Sequence, residues 1–191
     1  MILHEYPKSE FLKDGSRITI RPLRKEDEKI LHEYFLRLPL EDRMCLKDDV
    51  TDPKVIESWI YDLDYDVILP LVTLNDNHIV ANGTLQLDPV GWTKHQGEIR
   101  ITCDPNYRKK GLATILIENL MQIAVDFGLE QLTAEIAPAL DEAYFLFEKL
   151  GFQEAAVLKD FIKDLEGNYQ DLVLMIKNIS LSANDGHSEV R

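Results

Sequence analysis

Glu98-Ile99-Arg100-Ile101-Thr102-Cys103 alternates polar and apolar side chains, the two-residue period of a β-strand. Asp104-Pro105-Asn106-Tyr107 follows with turn-forming residues, and Arg108-Lys109-Lys110-Gly111-Leu112-Ala113 then crosses into a helix. From Gly111 onward Leu112, Ile115, Leu116, Leu120, Ile123, Ala124 and Phe127 recur at helical spacing, and Gly128 supplies a stop. A strand, a basic turn and a helix start made of small residues together predict a cradle for phosphate. Gly111 and Ala113 leave room for a ligand at the backbone, and the first-turn N–H groups have no partner inside the helix. The helix dipole adds about half a positive charge at the same point. Taken alone, these residues fit equally well an ordinary surface helix that begins after basic residues and a glycine.

A second segment separates those readings. Ala143-Tyr144-Phe145-Leu146-Phe147-Glu148-Lys149-Leu150-Gly151-Phe152 reads as a helix closed by Gly151. Together with Cys103-Asp104-Pro105-Asn106-Tyr107-Arg108-Lys109-Lys110-Gly111-Leu112-Ala113 it resembles the GNAT acetyltransferase superfamily. In that family a strand, the motif V-x-P-x-x-R-x-x-G-x-G/A, a helix, a strand and a helix ending Y-E-K-x-G-F follow in this order. The resemblance extends over nearly all of residues 17 to 177. It implies an α+β fold: a mixed, mostly antiparallel twisted sheet of about seven strands with helices on both faces. It also implies acetyl-CoA as co-substrate, entering where the Glu98 strand and the strand at 129–136 splay apart. The segment Asp14-Gly15-Ser16-Arg17-Ile18-Thr19-Ile20-Arg21-Pro22-Leu23-Arg24-Lys25-Glu26-Asp27 looks like the start of the GNAT domain in bacterial protein lysine acetyltransferases. That likeness favours a protein lysine slightly over a small amine.

The chain of 191 residues suits one domain, expected over residues 1–179, with a polar tail at 180–191 expected to be disordered. Its 45% hydrophobic and 29% charged residues describe a soluble globular protein. No run approaches the roughly 20 apolar residues of a membrane span, so no membrane partner is expected. Met1-Ile2-Leu3-His4-Glu5-Tyr6-Pro7 lacks the basic region and apolar core of a signal peptide. Cys45 and Cys103 offer no disulfide framework, and a reducing cytoplasm fits them. The net charge of −13 argues against sequence-independent nucleic-acid binding. The locally basic stretch from Asn106 to Lys110 still suits an anionic cofactor. The acidic remainder suits either a cationic acceptor or plain solubility.

Along the chain, Arg17-Ile18-Thr19-Ile20-Arg21 predicts a strand and Pro22 its end. Ile30, Leu31, Tyr34, Phe35 and Leu38 mark a helix that Pro39 breaks, and Pro53 opens another with Val55, Ile56, Trp59 and Ile60 on one side. Strands are expected at 67–74 and 79–87, joined by the hairpin signal Asn75-Asp76-Asn77-His78. After the cradle helix come a strand at 129–136, a helix at 140–150 and strands at 155–161 and 171–177.

Acetyl transfer from a thioester to an amine requires a bound donor, a neutral amine and a polarised carbonyl. By the resemblance, the main chain of Ile101, Thr102 and Cys103 pairs with the pantetheine arm like an added strand. The N–H groups of Arg108, Lys109, Lys110, Gly111, Leu112, Ala113 and Thr114 hold the pyrophosphate. A side chain at Gly111 would meet phosphate oxygens; a simple helix-start glycine is the other reading. A lysine amine, with a solution pKa of about 10.4, is neutral in about one molecule in two thousand at pH 7. A base therefore helps, and Glu98 begins the strand that carries it in the family. Burial is expected to raise its pKa towards the working range. An exposed carboxylate at a strand end, or proton removal through water, are the alternatives.

The chain departs from the family pattern where the acid should stand. Phe147 replaces the tyrosine that protonates the leaving thiolate, and it has no proton to give, although its ring can line the cofactor. Leu140 replaces the usual asparagine seven residues earlier. Tyr144, one turn back on roughly the same face, is the candidate substitute acid, with packing as its other role. The scattered histidines have no metal-ligand spacing, and Cys103 reads as a packing residue. Trp59 reads as helix core, and Trp92 as a loop residue near the acceptor. The expected function is acetyl-CoA-dependent N-acetyltransfer to a primary amine, by direct attack in a ternary complex. Phe147 and Leu140 leave two alternatives: a non-catalytic acyl-CoA-binding module, or transfer of a longer acyl group. A homodimer is the assembly the resemblance implies.

Overall fold

Alternating burial builds one eight-stranded sheet. Its strands are β1 (Lys8–Phe11), β2 (Arg17–Pro22), β3 (Ile68–Asn75), β4 (His78–Leu87), β5 (Gln96–Cys103), β6 (Gln131–Ile136), β7 (Gln153–Lys163) and β8 (Tyr169–Asn178). The spatial order is β1-β2-β3-β4-β5-β6-β8-β7, and every neighbouring pair is antiparallel except β5 with β6. The computed structural model describes residues 2–44, 46–137, 141–164 and 166–179, so the expectations placed on Cys45, Leu140 and the tail from 180 lie outside it.

The additional strand is β1. Its residues Lys8-Ser9-Glu10-Phe11 are mostly exposed and carry no alternation, which is why periodicity gives about seven strands rather than eight. A turn holds it to β2: the Leu12 N–H donates to Ser16 O at 2.9 Å across Gly15, whose φ is +85°. A short helix at Leu40–Met44 is also additional, whereas the other expected strands and helices are present. In β2, Ile18 and Ile20 are buried while Arg17 is exposed, and Asp76 turns the β3–β4 hairpin with φ +52°.

Helices cover both faces. On one, α1 (Glu28–Arg37) and α3 (Pro53–Tyr61), joined through the short α2 (Leu40–Met44), bury Leu31, Tyr34, Phe35, Ile56 and Ile60 against Val72, Leu74 and Ile79. On the other, α4 (Leu112–Asp126) buries Leu116, Ile117, Leu120 and Ile123 against Leu69, Leu71, Leu85 and Ile99. Each such aliphatic side chain contributes about 2 kcal/mol on leaving water. Gly83 lets α4 lie close to β4: a Cβ there would stand 3.0 Å from Leu120 Cδ1 and 3.1 Å from Leu116. The remaining helix, α5 (Asp141–Lys149), adds Phe147 to the same core.

The Arg21-Pro22…Asp27 motif is a structural tie between β2 and α1. Asp27, 5% exposed, accepts hydrogen bonds from Arg21 at 2.6 and 2.7 Å and from the Arg24 N–H at 2.8 Å. Burial pushes its carboxyl pKa up, but these donors outweigh burial and hold it below the usual carboxylate value.

The parallel pair creates the opening. β5 and β6 pair only at Gln96↔Gln131, Gly97↔Leu132 and Glu98↔Thr133. Beyond that point β5 stays with β4 as far as Cys103↔Ala81, and β6 stays with β8 as far as Ile136↔Val173. Each strand keeps its outer neighbour, so the two part, and residues 99–103 of β5 have no strand partner on that edge among the described residues.

Candidate active site

The cradle sits at the far end of the unpaired β5 edge. After a 3-10 turn at Pro105–Tyr107, Lys109 adopts φ +60° and Gly111 φ +92° with ψ −1°, and α4 starts at Leu112. The Ile115 N–H donates to Gly111 O at 3.1 Å, so the N–H groups of Leu112, Ala113 and Thr114 precede the first bonded turn and point out of the helix end. Arg108 departs from the expected donor set, because its N–H is used within the turn, on Pro105 O at 3.2 Å. Leu112 offers the cradle main chain only, since its side chain is buried.

A Cβ on Gly111 would meet only the flexible chain of Lys13, with Cε 3.6 Å away. Glycine is thus required there by its left-handed backbone and by nothing packed over it within the protein. Lys13 belongs to the β1–β2 turn, whose link to the cradle had no sequence signal. The Lys13 N–H donates to Lys110 O at 3.0 Å, and Asp14 pairs with the Lys110 ammonium at 2.9 Å. The hydrogen bond from Lys110, then those from Ser16, hold the Asp14 carboxyl at about 2. The other basic side chains are also paired, Arg108 with Asp42 and Lys109 with Glu142 at 3.0 Å. An arriving phosphate therefore meets N–H groups and a helix dipole first, and competes with carboxylates for the cationic side chains.

Side chains of β5 alternate across the sheet. Ile99, Ile101 and Cys103 face α4, and burial pushes the Cys103 thiol up to about 12, which suits packing and not nucleophilic attack. On the opposite face Thr102 accepts the Tyr34 hydroxyl at 2.9 Å. Glu98 and Arg100 share that face as a two-pronged pair, with Nε at 2.7 Å and Nη2 at 2.9 Å from the two carboxylate oxygens. Glu135 projects from β6 just past the last β5–β6 pair, and Lys47 reaches both acids, 3.2 Å from Glu98 and 2.7 Å from Glu135. The expected rise in the Glu98 pKa is not found. Burial pushes it up, but the hydrogen bonds and charge of Arg100, with the nearby charge of Lys47, bring it below the ordinary glutamate value.

The sequence profile of the Acetyltransferase (GNAT) family matches residues 29–152, which take in α1 but for its first residue, the wedge between β5 and β6, the cradle and α5. This chain belongs to the GNAT acetyltransferase family. It is 31% identical over 81 residues to the ribosomal protein bS18-alanine N-acetyltransferase of Escherichia coli K12, covering 42% of this chain and 54% of that protein. The chain thus spans about half the length of the curated relatives it matches at that level. Spermidine N(1)-acetyltransferase of the same organism is 23% identical over 178 residues, covering 83% of this chain and 84% of the relative. The structure of yncA from Salmonella typhimurium with its cofactor acetyl-CoA superposes with a TM-score of 0.72 at 19% identity, over 89% of this chain and 99% of that one, a likeness of fold.

Two expectations placed on α5 need correction. Tyr144 is turned away from the wedge: its hydroxyl donates to Glu154 at 3.3 Å, on β7 at the outer end of the sheet. Burial first, then the Glu154 charge, raise its pKa, so it is a weaker acid there than a free tyrosine. Phe147 is only 3% exposed and packs edge-on against Phe152 at 5.0 Å, so its ring supports α5 and offers little surface to a cofactor. Gly151 ends that helix with φ +87°, and Lys177 caps the Leu150 carbonyl at 2.7 Å. Of the tryptophans, Trp59 packs on Phe35 in the helical layer, and Trp92 is 93% exposed in the loop before β5. The residues that sequence reading missed are Lys13, Lys47 and Glu135. Only the last had a possible signal, as an acid placed two residues beyond Thr133 on the wedge-side strand.

Proposed function

We propose that the chain is an acetyl-CoA-dependent N-acetyltransferase that acts on a primary amine by direct attack in a ternary complex. The observation that carries this reading is the parting of β5 and β6 at Glu98↔Thr133, with the cradle beyond one end and two carboxylates at the other. The main-chain edge of Ile101, Thr102 and Cys103 that faces away from β4 suits the amide-bearing pantetheine arm, and the N–H groups from Lys109 to Thr114 suit the pyrophosphate. These residues fit acetyl-CoA, which brings an already activated acyl group.

Glu98 and Glu135 then receive the acceptor as a cation. Glu98 takes its proton when the pair with Arg100 loosens, and the freed amine attacks the carbonyl carbon. The C–S bond breaks, and coenzyme A leaves as a thiolate that takes its proton from water or the amine, since Phe147 and Tyr144 are not in place to supply one. Two carboxylates suit an amine on a flexible cationic chain. A protein lysine is the leading acceptor, and a small polyamine is the second reading, favoured by the exposed Glu135. The free thiol of Cys103 fits work in a reducing cytoplasm.

The test is thiol release from acetyl-CoA with lysine peptides, amino-terminal peptides and spermidine as separate acceptors, using Gly111→Asp as the blank. Release that depends on one class of amine and vanishes in the blank supports the proposal. Tight acetyl-CoA binding with no release for any amine would instead make this a non-catalytic binding module.

A further inference from the structure

Lys47 lies in the segment between α2 and α3, and its side chain is half exposed. Its Nζ stands 2.7 Å from Glu135 Oε2 and 3.2 Å from Glu98 Oε1. These carboxylates flank the point where β5 and β6 stop pairing. Under the function proposed above, that is where an acceptor amine must sit: at the apex of the wedge, beside the group that takes its proton. The position is already held by a primary amine of the chain itself.

A structural ion pair accounts for the Glu135 contact at 2.7 Å but not for the reach to Glu98 at 3.2 Å. Glu98 is already neutralised by both prongs of Arg100, so Lys47 is surplus to its charge. A half-exposed lysine in such a pair adds about 0–1 kcal/mol to stability, too little to fix its place. Lys47 can therefore leave and return, and its amine is held near the donor without any cost of association.

We propose that Lys47 is an intramolecular acceptor, so that the protein loaded with acetyl-CoA acetylates its own Lys47 Nζ. The ammonium loses one proton to Glu98 and from there to solvent. The amine adds to the thioester carbonyl carbon, the C–S bond breaks with its electron pair on sulfur, and the second amine proton ends on that sulfur. The products are acetyl-lysine, coenzyme A and one released proton. Acetylation removes the charge of Lys47 and leaves Glu135 unpaired for an external ammonium beside the Glu98–Arg100 pair, so the modification opens the acceptor site.

The test uses the full chain with acetyl-CoA and no added amine, followed by peptide mass spectrometry over time. The expected result is acetyl on Lys47 at a rate independent of protein concentration. It should be about tenfold or more faster than at the highly exposed Lys29, and be lost in Gly111→Asp. Lys47→Gln, which imitates the acetylated side chain, should lower KM for a cationic acceptor by about fivefold, the upper end of what an exposed ion pair is worth. Lys47 left unmodified, or modified no faster than Lys29, overturns the inference. Thiol release to an external amine in the same preparation tells the two failures apart. Release with an unmodified Lys47 refutes only the internal acceptor, whereas absence of both refutes the transferase reading itself.

Discussion

The two ends of the β5–β6 wedge are built in opposite ways. The cradle end is one continuous stretch, residues 104–114, and works through backbone: a turn, two positive φ values and the N–H groups of a helix start. The other end, where we propose that the acceptor sits, is assembled from Lys47 in a loop, Glu98 and Arg100 on β5, and Glu135 on β6, and is built from charge. A backbone site needs the right residue at one or two positions. A charge site needs several distant side chains to converge, and their mutual pairing then sets each one's protonation.

Gly111→Asp should break the cradle end alone and give the largest effect. An aspartate brings a side chain, a negative charge and a strained φ of +92° to the place where phosphate would lie. Binding of acetyl-CoA should fall below detection by calorimetry while the fold persists. Retention of normal affinity would show that the pyrophosphate lies elsewhere.

Asp27→Asn tests the frame behind both ends. Breaking a largely buried, doubly bonded pair with Arg21 should cost about 3 kcal/mol in urea unfolding. Because the folded-state pKa of Asp27 is depressed, its contribution is present above the unfolded value of about 3.9 and is lost as pH falls through the lower folded value. The difference between wild type and variant should therefore shrink in acid, and a constant difference down to pH about 2 would argue against the ion pair as its source.

Glu98→Gln should lower turnover by about tenfold to a hundredfold and leave acetyl-CoA affinity unchanged. With its pKa lowered by Arg100, Glu98 is ionised throughout the neutral range, so the rise of rate with pH near neutrality should report the acceptor amine and persist in the variant. An acid limb near pH 6 that disappears with the substitution would show that acceptor binding detaches Arg100 and raises the Glu98 pKa. Lys13→Ala sharpens the contrast at the smallest scale. Removing a flexible cation beside Gly111 should weaken acetyl-CoA binding by up to about fivefold and leave the acceptor KM unchanged.

The contrast between the two ends also explains what could be read beforehand. The order of strands and helices, the cradle at Gly111 and the opening beside Glu98 follow from periodicity, turn chemistry and family motifs, each carried by neighbouring residues. The edge strand β1 escaped, because an exposed strand of four residues is held by pairing and leaves no hydrophobic pattern. Tyr144 and Phe147 were misplaced because helical spacing shows which side chains share a face, not which neighbour that face meets. Glu98 lies near the start of the expected strand, but its pKa is shifted the other way, since Arg100 and Lys47 are partners that only the folded chain brings to it.

From sequence alone came the family, the layered α+β architecture and the turn and helix start at Gly111, because local conformation and burial pattern are written in adjacent residues. Tertiary structure alone decided which charges meet where β5 and β6 part, that Lys47 lies between Glu98 and Glu135 and that Lys13 borders Gly111. Those contacts join positions far apart in the chain, and their energies depend on distances of a few ångströms that no local pattern encodes.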